Sequence, residues 1–270
     1  MKLSFLFYEP ISDLIELSRR MARLVELGFQ GVELTASHPP PYPPEALLEL
    51  SERHRLRIVS FLSGWSYGHE KLCLASPDPD VRRRAAERLM CYIDYAAPLH
   101  ALVVIGLMQG LRSDEPDETV AIPRIAEGLR RAADHAAQKQ GRLILEPVNH
   151  LQVGFHHTAA AAAALVDRVG SPGLGYMLDT IHLHIEERSV IETIRRHGGR
   201  IEHFHLCESN GGLFGTGAID FCGVLGALQG TGYDRFISVK VYRDSHWEDA
   251  ARQAAETVLP LITAPGRNHV

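Results

Sequence analysis

Short apolar runs alternate with longer amphipathic stretches along the whole chain. The runs LSFLF (3–7), GVEL (31–34), RIVSFL (57–62), ALVVI (101–105), RLILE (142–146), GYMLD (175–179), RIEHFH (200–205) and FISVKV (236–241) have the length and aliphatic content of buried strands. Between them, apolar positions recur at helical spacing over 11–27, 45–54, 79–95, 120–139, 158–169, 190–197, 221–229 and 247–262. Strands without a polar face, separated by helices, predict βαβ units and a parallel sheet. Eight such units select the closed (β/α)8 TIM barrel of the α/β class over an open doubly wound sheet. The open sheet also asks for GxGxxG after the first strand, where this chain has YEPISD. A barrel of this kind uses about 250 residues, so residues 1–270 are expected to form a single domain.

The composition, 45% hydrophobic and 23% charged, excludes disorder and coiled coil. A net charge of −5, with no basic run beyond Arg82-Arg83-Arg84, lacks the footprint of a nucleic-acid binder. No apolar stretch approaches the ~20 residues of a membrane span, and the N-terminal run is too short for a secretory signal. Cys73, Cys91, Cys207 and Cys222 stand far apart with no CxxC pair, which argues against a disulfide frame or a zinc-thiolate site. A soluble, cytoplasmic protein without nucleic-acid or membrane partners is expected.

In a barrel, the C-terminal ends of all strands open on one mouth. Four runs end there on or near an ionisable residue: Glu33, Glu146, Asp179 and His205. A single strand-end carboxylate is easily satisfied by a helix cap or an arginine. Several at equivalent positions predict a shared site, because buried carboxylates need partners. Two carboxylates and an imidazole converging on a point suit one divalent ion: Mn²⁺ first, or Mg²⁺, Co²⁺ or Zn²⁺.

The fifteen histidines then divide by place. His182 and His184 fall in the loop after the sixth strand, on the same mouth. His203 and His205 are expected to divide between lumen and helix layer, with His205 the ligand. His150 and the pair His156-His157 lie in the loop after Glu146, while surface or packing roles suffice for His54, His100, His135, His197 and His269. Trp65 either stacks on a sugar face or packs its own loop. Tyr8 and Glu9 are mouth candidates by position alone. Gly211, Gly212, Gly215 and Gly217 would cradle a phosphate or form a turn; with no basic partner nearby, the turn is preferred.

LILEPVNH, GYMLDTIHLHIEE, HFHLCESNGGLFGTGAIDF and GYDRFISV together resemble the xylose-isomerase-like barrel family of sugar isomerases and epimerases, nearest its ketose 3-epimerase branch. The resemblance covers essentially the whole chain; LDTxHxxI is its most specific element and GxGxIDF is moderately specific. It implies one divalent metal on Glu146, Asp179 and His205, substrate contact at His182, and a small carbohydrate substrate. Asn149, Glu33 and Trp65 are further substrate-side candidates, and a homo-oligomer is implied by relatives that are often dimers or tetramers. The chain also departs from the pattern. The family's second metal glutamate ends strand eight, where SVKVY places Lys240; its substrate arginine falls on Gly211, a glutamate on Gln152, and an NR dipeptide on Asn149-His150.

The expected function is therefore a metal-dependent keto-sugar isomerase or epimerase working through a metal-stabilised enediolate, with Glu146 or a neighbouring histidine as base. Lys240 is expected to replace the second glutamate as a substrate-facing acid or electrostatic group, unless it turns outward or only neutralises Glu146. The first alternative is a lyase cleaving a 3-keto-glycoside by β-elimination, which needs one base, with His150 the candidate. An abasic-site endonuclease would need a multi-metal cluster and a cationic groove, at odds with a charge of −5. A degenerate, non-catalytic barrel subunit would bind no metal.

Overall fold

The computed structural model of the protein describes residues 1–38, 40–243 and 246–263; His269 lies outside them. Strands and helices alternate: β1 (Lys2–Phe7), α1 (Leu14–Glu26), β2 (Gly31–Thr35), α2 (Pro44–His54), β3 (Arg57–Leu62), α3 (Gly64–Glu70), α4 (Pro79–Ala96), β4 (Leu102–Ile105), α5 (Glu118–Gln138), β5 (Arg142–Leu145) and α6 (Ala159–Val169). There follow β6 (Leu174–Tyr176), β7 (Leu178–Asp179), α7 (Thr180–Glu186), α8 (Val190–His197), β8 (Phe204–Cys207), α9 (Phe221–Gly230), β9 (Phe236–Lys240) and α10 (Trp247–Thr263). Helix starts are set by short polar side chains that accept an otherwise unpaired N–H of the first turn: Asp13, Asp78, Asp117, Thr158, Ser189 and Asp220.

All strand pairs are parallel, in the order β6-β5-β4-β3-β2-β1-β9-β8-β7. The two ends of that order, β6 and β7, flank Met177 and are the two halves of one barrel strand. Met177 N–H still donates to Leu145 on the β5 side, whereas Leu178 N–H donates to His203 on the other. The sheet closes there, and the eight-stranded TIM barrel is the fold. Helices bury one face of the sheet through residues such as Leu3, Phe5, Val103 and Leu143. Inside, Val104, Ile144 and Met177 form a small apolar cluster; Ser4, Glu33, Ser60, His203, His205 and Ser238 are equally buried polar groups.

Three local expectations need correction. The seventh barrel strand is regular over Phe204–Cys207 rather than 200–205, which carries its end two residues further into the mouth. The segment after strand three folds as α3 despite its two glycines, because Ser66 and Tyr67 are buried. His182 and His184 lie on a short helix, not a loop: Asp179 caps it by accepting Ile181 N–H. No helix among the described residues is long and apolar enough to cross a membrane.

Packing around the barrel leaves no room for a side chain at Gly173. A Cβ on Gly173, at the entry to β6, would stand 1.9 Å from the Ala133 carbonyl oxygen and 2.8 Å from Ala137 N, both backbone atoms of α5. Gly173→Ala should therefore cost about 2 kcal/mol or more, lowering the unfolding temperature by roughly 4–8 °C. Calorimetric midpoints within a degree of each other would contradict this close approach.

Candidate active site

The site is built in two layers. The lower one centres on Glu33, at a step in strand register: Val32 pairs with Ile58 but Glu33 with Ser60, leaving Val59 as an extra residue in β3. Such bulges re-aim side chains. Ser238 Oγ donates to Glu33 Oε1 over 2.7 Å, His203 Nε2 meets the same oxygen, and His205 Nε2 lies 3.0 Å from Oε2. His203 and His205 thus face the lumen together, correcting their expected division: residues two apart in a strand share a face. Burial opposes ionisation of Glu33, yet the two imidazoles hold its carboxyl well below the usual range.

With Nε2 committed to Glu33, His205 presents Nδ1 to the upper layer. It lies 3.3 Å from Glu146 Oε1 and 3.6 Å from Asp179 Oδ2. Glu146 follows β5, its N–H on the Ile105 carbonyl. Asp179 ends β7 and spends Oδ1 on the cap of α7, leaving Oδ2 for the site. Lys240, the last residue of β9, donates to Asp179 Oδ2 over 2.8 Å and stands 3.5 Å from Glu146 Oε1. His182, inside the first turn of α7, brings Nε2 to 3.6 Å from Glu146 and 3.8 Å from Asp179.

The His182 tautomer follows from its neighbour. Asn149 Oδ1 accepts Leu151 N–H at 3.1 Å, so Nδ2 must be the atom that donates to His182 Nδ1 at 2.8 Å. Burial pushes the His182 pKa down, and in the neutral ring the proton is then on Nε2, aimed at the acids.

Charge balance explains the remaining shifts. Burial disfavours the Glu146 carboxylate, but the Lys240 ammonium and His205 hold its pKa down to about 2. Asp179 is likewise buried and held below the usual range by Lys240 and His182. Burial opposes the Lys240 ammonium too, yet Asp179 and Glu146 raise its pKa well above the ordinary value; for His205, Glu33 leads the groups that outweigh burial.

In the upper layer the buried atoms Glu146 Oε1, His182 Nε2 and His205 Nδ1 make no hydrogen bond among the described residues; in the lower layer the same holds for both ring nitrogens of His203. Glu146, Asp179 and His182 offer ligand atoms within 4.8 Å of one another, as do Glu33, His203 and His205. In the second group both Glu33 oxygens are already engaged, by Ser238 and His205. Around the first, Glu146 Oε1, Asp179 Oδ2 and His205 Nδ1 are the donors that fit a divalent ion, and Lys240 stands against the same two oxygens. His182 borders this set through an N–H.

Above the floor opens a cleft of about 210 Å³, into which Glu146, His182 and Lys240 face. Its walls include Tyr8, Glu9, Trp65, His69, Leu107 and Gln152. Trp65 stacks on His69 with ring centroids 4.4 Å apart; His69 escaped the sequence reading because α3 did.

Other candidates fall elsewhere. Glu33 is fully buried below the floor and does not line the cleft. Asn149 is behind His182 and orients it rather than lining the cleft. The His150 side chain is 57% exposed, and both its Nδ1 and its backbone N–H engage Glu186 Oε1, away from the floor. His184 is exposed. The glycine-rich loop after β8 turns the amides of Ser209, Gly215 and Ile219 onto the buried Glu208 carboxylate, so it forms a turn and not a phosphate cradle. Glu208 was itself legible as a strand-end carboxylate in HFHLCE.

Residues 21–261 match the family described as Xylose isomerase-like TIM barrel. The chain belongs to that family. Among its relatives is an L-ribulose 3-epimerase of Mesorhizobium japonicum, 29% identical over 221 residues that cover 81% of this chain and 73% of that protein. A D-psicose 3-epimerase of Ruminiclostridium cellulolyticum is 30% identical over 219 residues, 78% and 73% of the two chains. A solved L-ribulose 3-epimerase shares the fold with a TM-score of 0.83 at 24% identity, over 98% of this chain and 99% of that one.

The xylose-isomerase-like floor sets an acid limit on stability. Glu146 titrates near 4.5 ordinarily and near 2 in the fold, so the unfolded chain binds more protons and stability falls as pH drops through this interval. Lys240, with its pKa raised above 10.5, stays charged throughout this interval. In chelated protein, Lys240→Met should cost roughly 3 kcal/mol at pH 7 and flatten the loss of stability between about pH 4.5 and 2. Denaturant melts at several pH values test this; parallel pH profiles would show that the lysine does not hold these acids.

Proposed function

We propose that the protein is a keto-sugar isomerase, most simply a ketose 3-epimerase. The observation that carries this reading is the buried convergence of Glu146, Asp179 and His205 under a sugar-sized cleft. Relatives named for L-ribulose and D-psicose 3-epimerisation support the substrate class. Because the loop amides after β8 are spent on Glu208, a free ketose is favoured over a phosphorylated one. The four free thiols suit a reducing compartment, the cytoplasm.

A divalent ion on Glu146, Asp179 and His205, Mn²⁺ in the first instance and Mg²⁺, Co²⁺ or Zn²⁺ otherwise, would polarise the substrate carbonyl and neighbouring hydroxyl and so acidify the C–H between them. The chain's own groups do the rest. Glu146, facing the cleft, takes the carbon-bound proton. His182 Nε2–H donates to the oxygen on which charge then develops, its ring held by Asn149. Lys240 is the further proton-bearing group that faces the cleft, and Trp65 offers an apolar surface to the sugar ring. The lyase alternative loses its base, since His150 engages Glu186.

Incubation with Mn²⁺ and L-ribulose or D-psicose in D₂O should place deuterium on C3 as the epimer forms. Asp179→Ala should remove bound ion and lower kcat/KM at least about 100-fold, roughly 2.7 kcal/mol. His182→Ala should lower it about tenfold with the ion retained. Absence of exchange into any ketose with any of the four ions would reject the reading.

A further inference from the structure

Beneath the cleft, two acids face a single cation position. Asp179 Oδ2 is turned towards it because Oδ1 caps α7, and it lies 2.8 Å from Lys240 Nζ. Glu146 Oε1 lies 3.5 Å from the same nitrogen. These two oxygens, with His205 Nδ1 at 3.3 and 3.6 Å from them, are also the donors available to a divalent ion. Both cations cannot share them. Like charges pressed against one carboxylate oxygen in a buried floor repel strongly. Two carboxylates balance a divalent ion, but while Lys240 is engaged only one negative charge is left.

We propose that the Lys240 ammonium and a divalent ion are alternative occupants of this one position, so that the ion binds only as Lys240 leaves Asp179 and turns into the cleft it already lines. The proposal rests on the reading that Glu146, Asp179 and His205 hold an ion. It gives Lys240 two tasks. Without the ion, its ammonium offsets one of the two charges on buried acids that would otherwise repel each other. With the ion in place, the displaced ammonium adds positive charge to the cleft, where a ketose presents its oxygens. Glu33 braces His205 from below whichever cation is present.

Calorimetric titration of chelator-stripped full-length protein with Mn²⁺, in the absence of sugar, tests the exchange. Lys240→Met should bind Mn²⁺ at least tenfold more tightly than wild type, and Lys240→Glu, which adds a ligand, at least as tightly as Lys240→Met. Stripped Lys240→Met should also melt below stripped wild type and regain the difference on Mn²⁺ addition. Circular dichroism establishes that each variant is folded, and Lys240→Glu serves if Lys240→Met is not. A gain of less than tenfold, or a weaker Kd, overturns the proposal while leaving the ion site standing. Folded proteins of which none binds Mn²⁺ overturn both the exchange and the ion site, independently of any sugar chemistry.

Discussion

Glu33, Glu146 and Asp179 are buried carboxylates at and beneath the floor of the cleft, and the arrangement around them follows from keeping them ionised there. A buried carboxylate costs several kcal/mol unless it is paired and hydrogen-bonded. Glu33 is paid for by two histidines and a serine hydroxyl. Glu146 and Asp179 share one ammonium, that of Lys240. The division is unequal: the lower acid is saturated by its neighbours, whereas Glu146 Oε1 and the facing nitrogens of His182 and His205 keep capacity for something else.

That inequality turns a stabilising cluster into a site. The lower layer works as a brace, since Glu33 fixes the ring of His205 and thereby aims its other nitrogen upward, as outer partners do for metal-binding imidazoles. A similar brace acts sideways, where a backbone N–H orients Asn149 and Asn149 orients His182. Asp179 works in both directions, with one oxygen holding the first turn of α7 and the other meeting Lys240. His205 and His182 are therefore each held by a group that does not itself reach the cleft, which gives the floor rigidity before any ligand arrives.

Much of this was legible along the chain. Eight alternations of strand and helix specified a closed barrel, and a closed barrel brings its strand ends to one mouth, so Glu146, Asp179 and His205 could be grouped although they are far apart in sequence. Lys240 could be singled out because it ends the eighth strand where the resembling family has an acid.

Other features depended on what stands across the barrel. Hydrophobic periodicity reports which side of a strand a residue faces, not its height along the barrel axis; hence Glu33 could be assigned to the mouth but not to the buried layer beneath it. A loop histidine carries no sign of its partner, and only packing against α7 shows that His150 turns to Glu186. The splitting of the sixth strand at Met177 reflects a change of hydrogen-bonding neighbour, invisible in a local window. Composition and order of residues determined the barrel and the chemistry at its mouth. Tertiary structure decided which acid each cation serves, because electrostatic pairing in a buried floor is set by distances of a few ångströms between strands that the sequence separates by tens of residues.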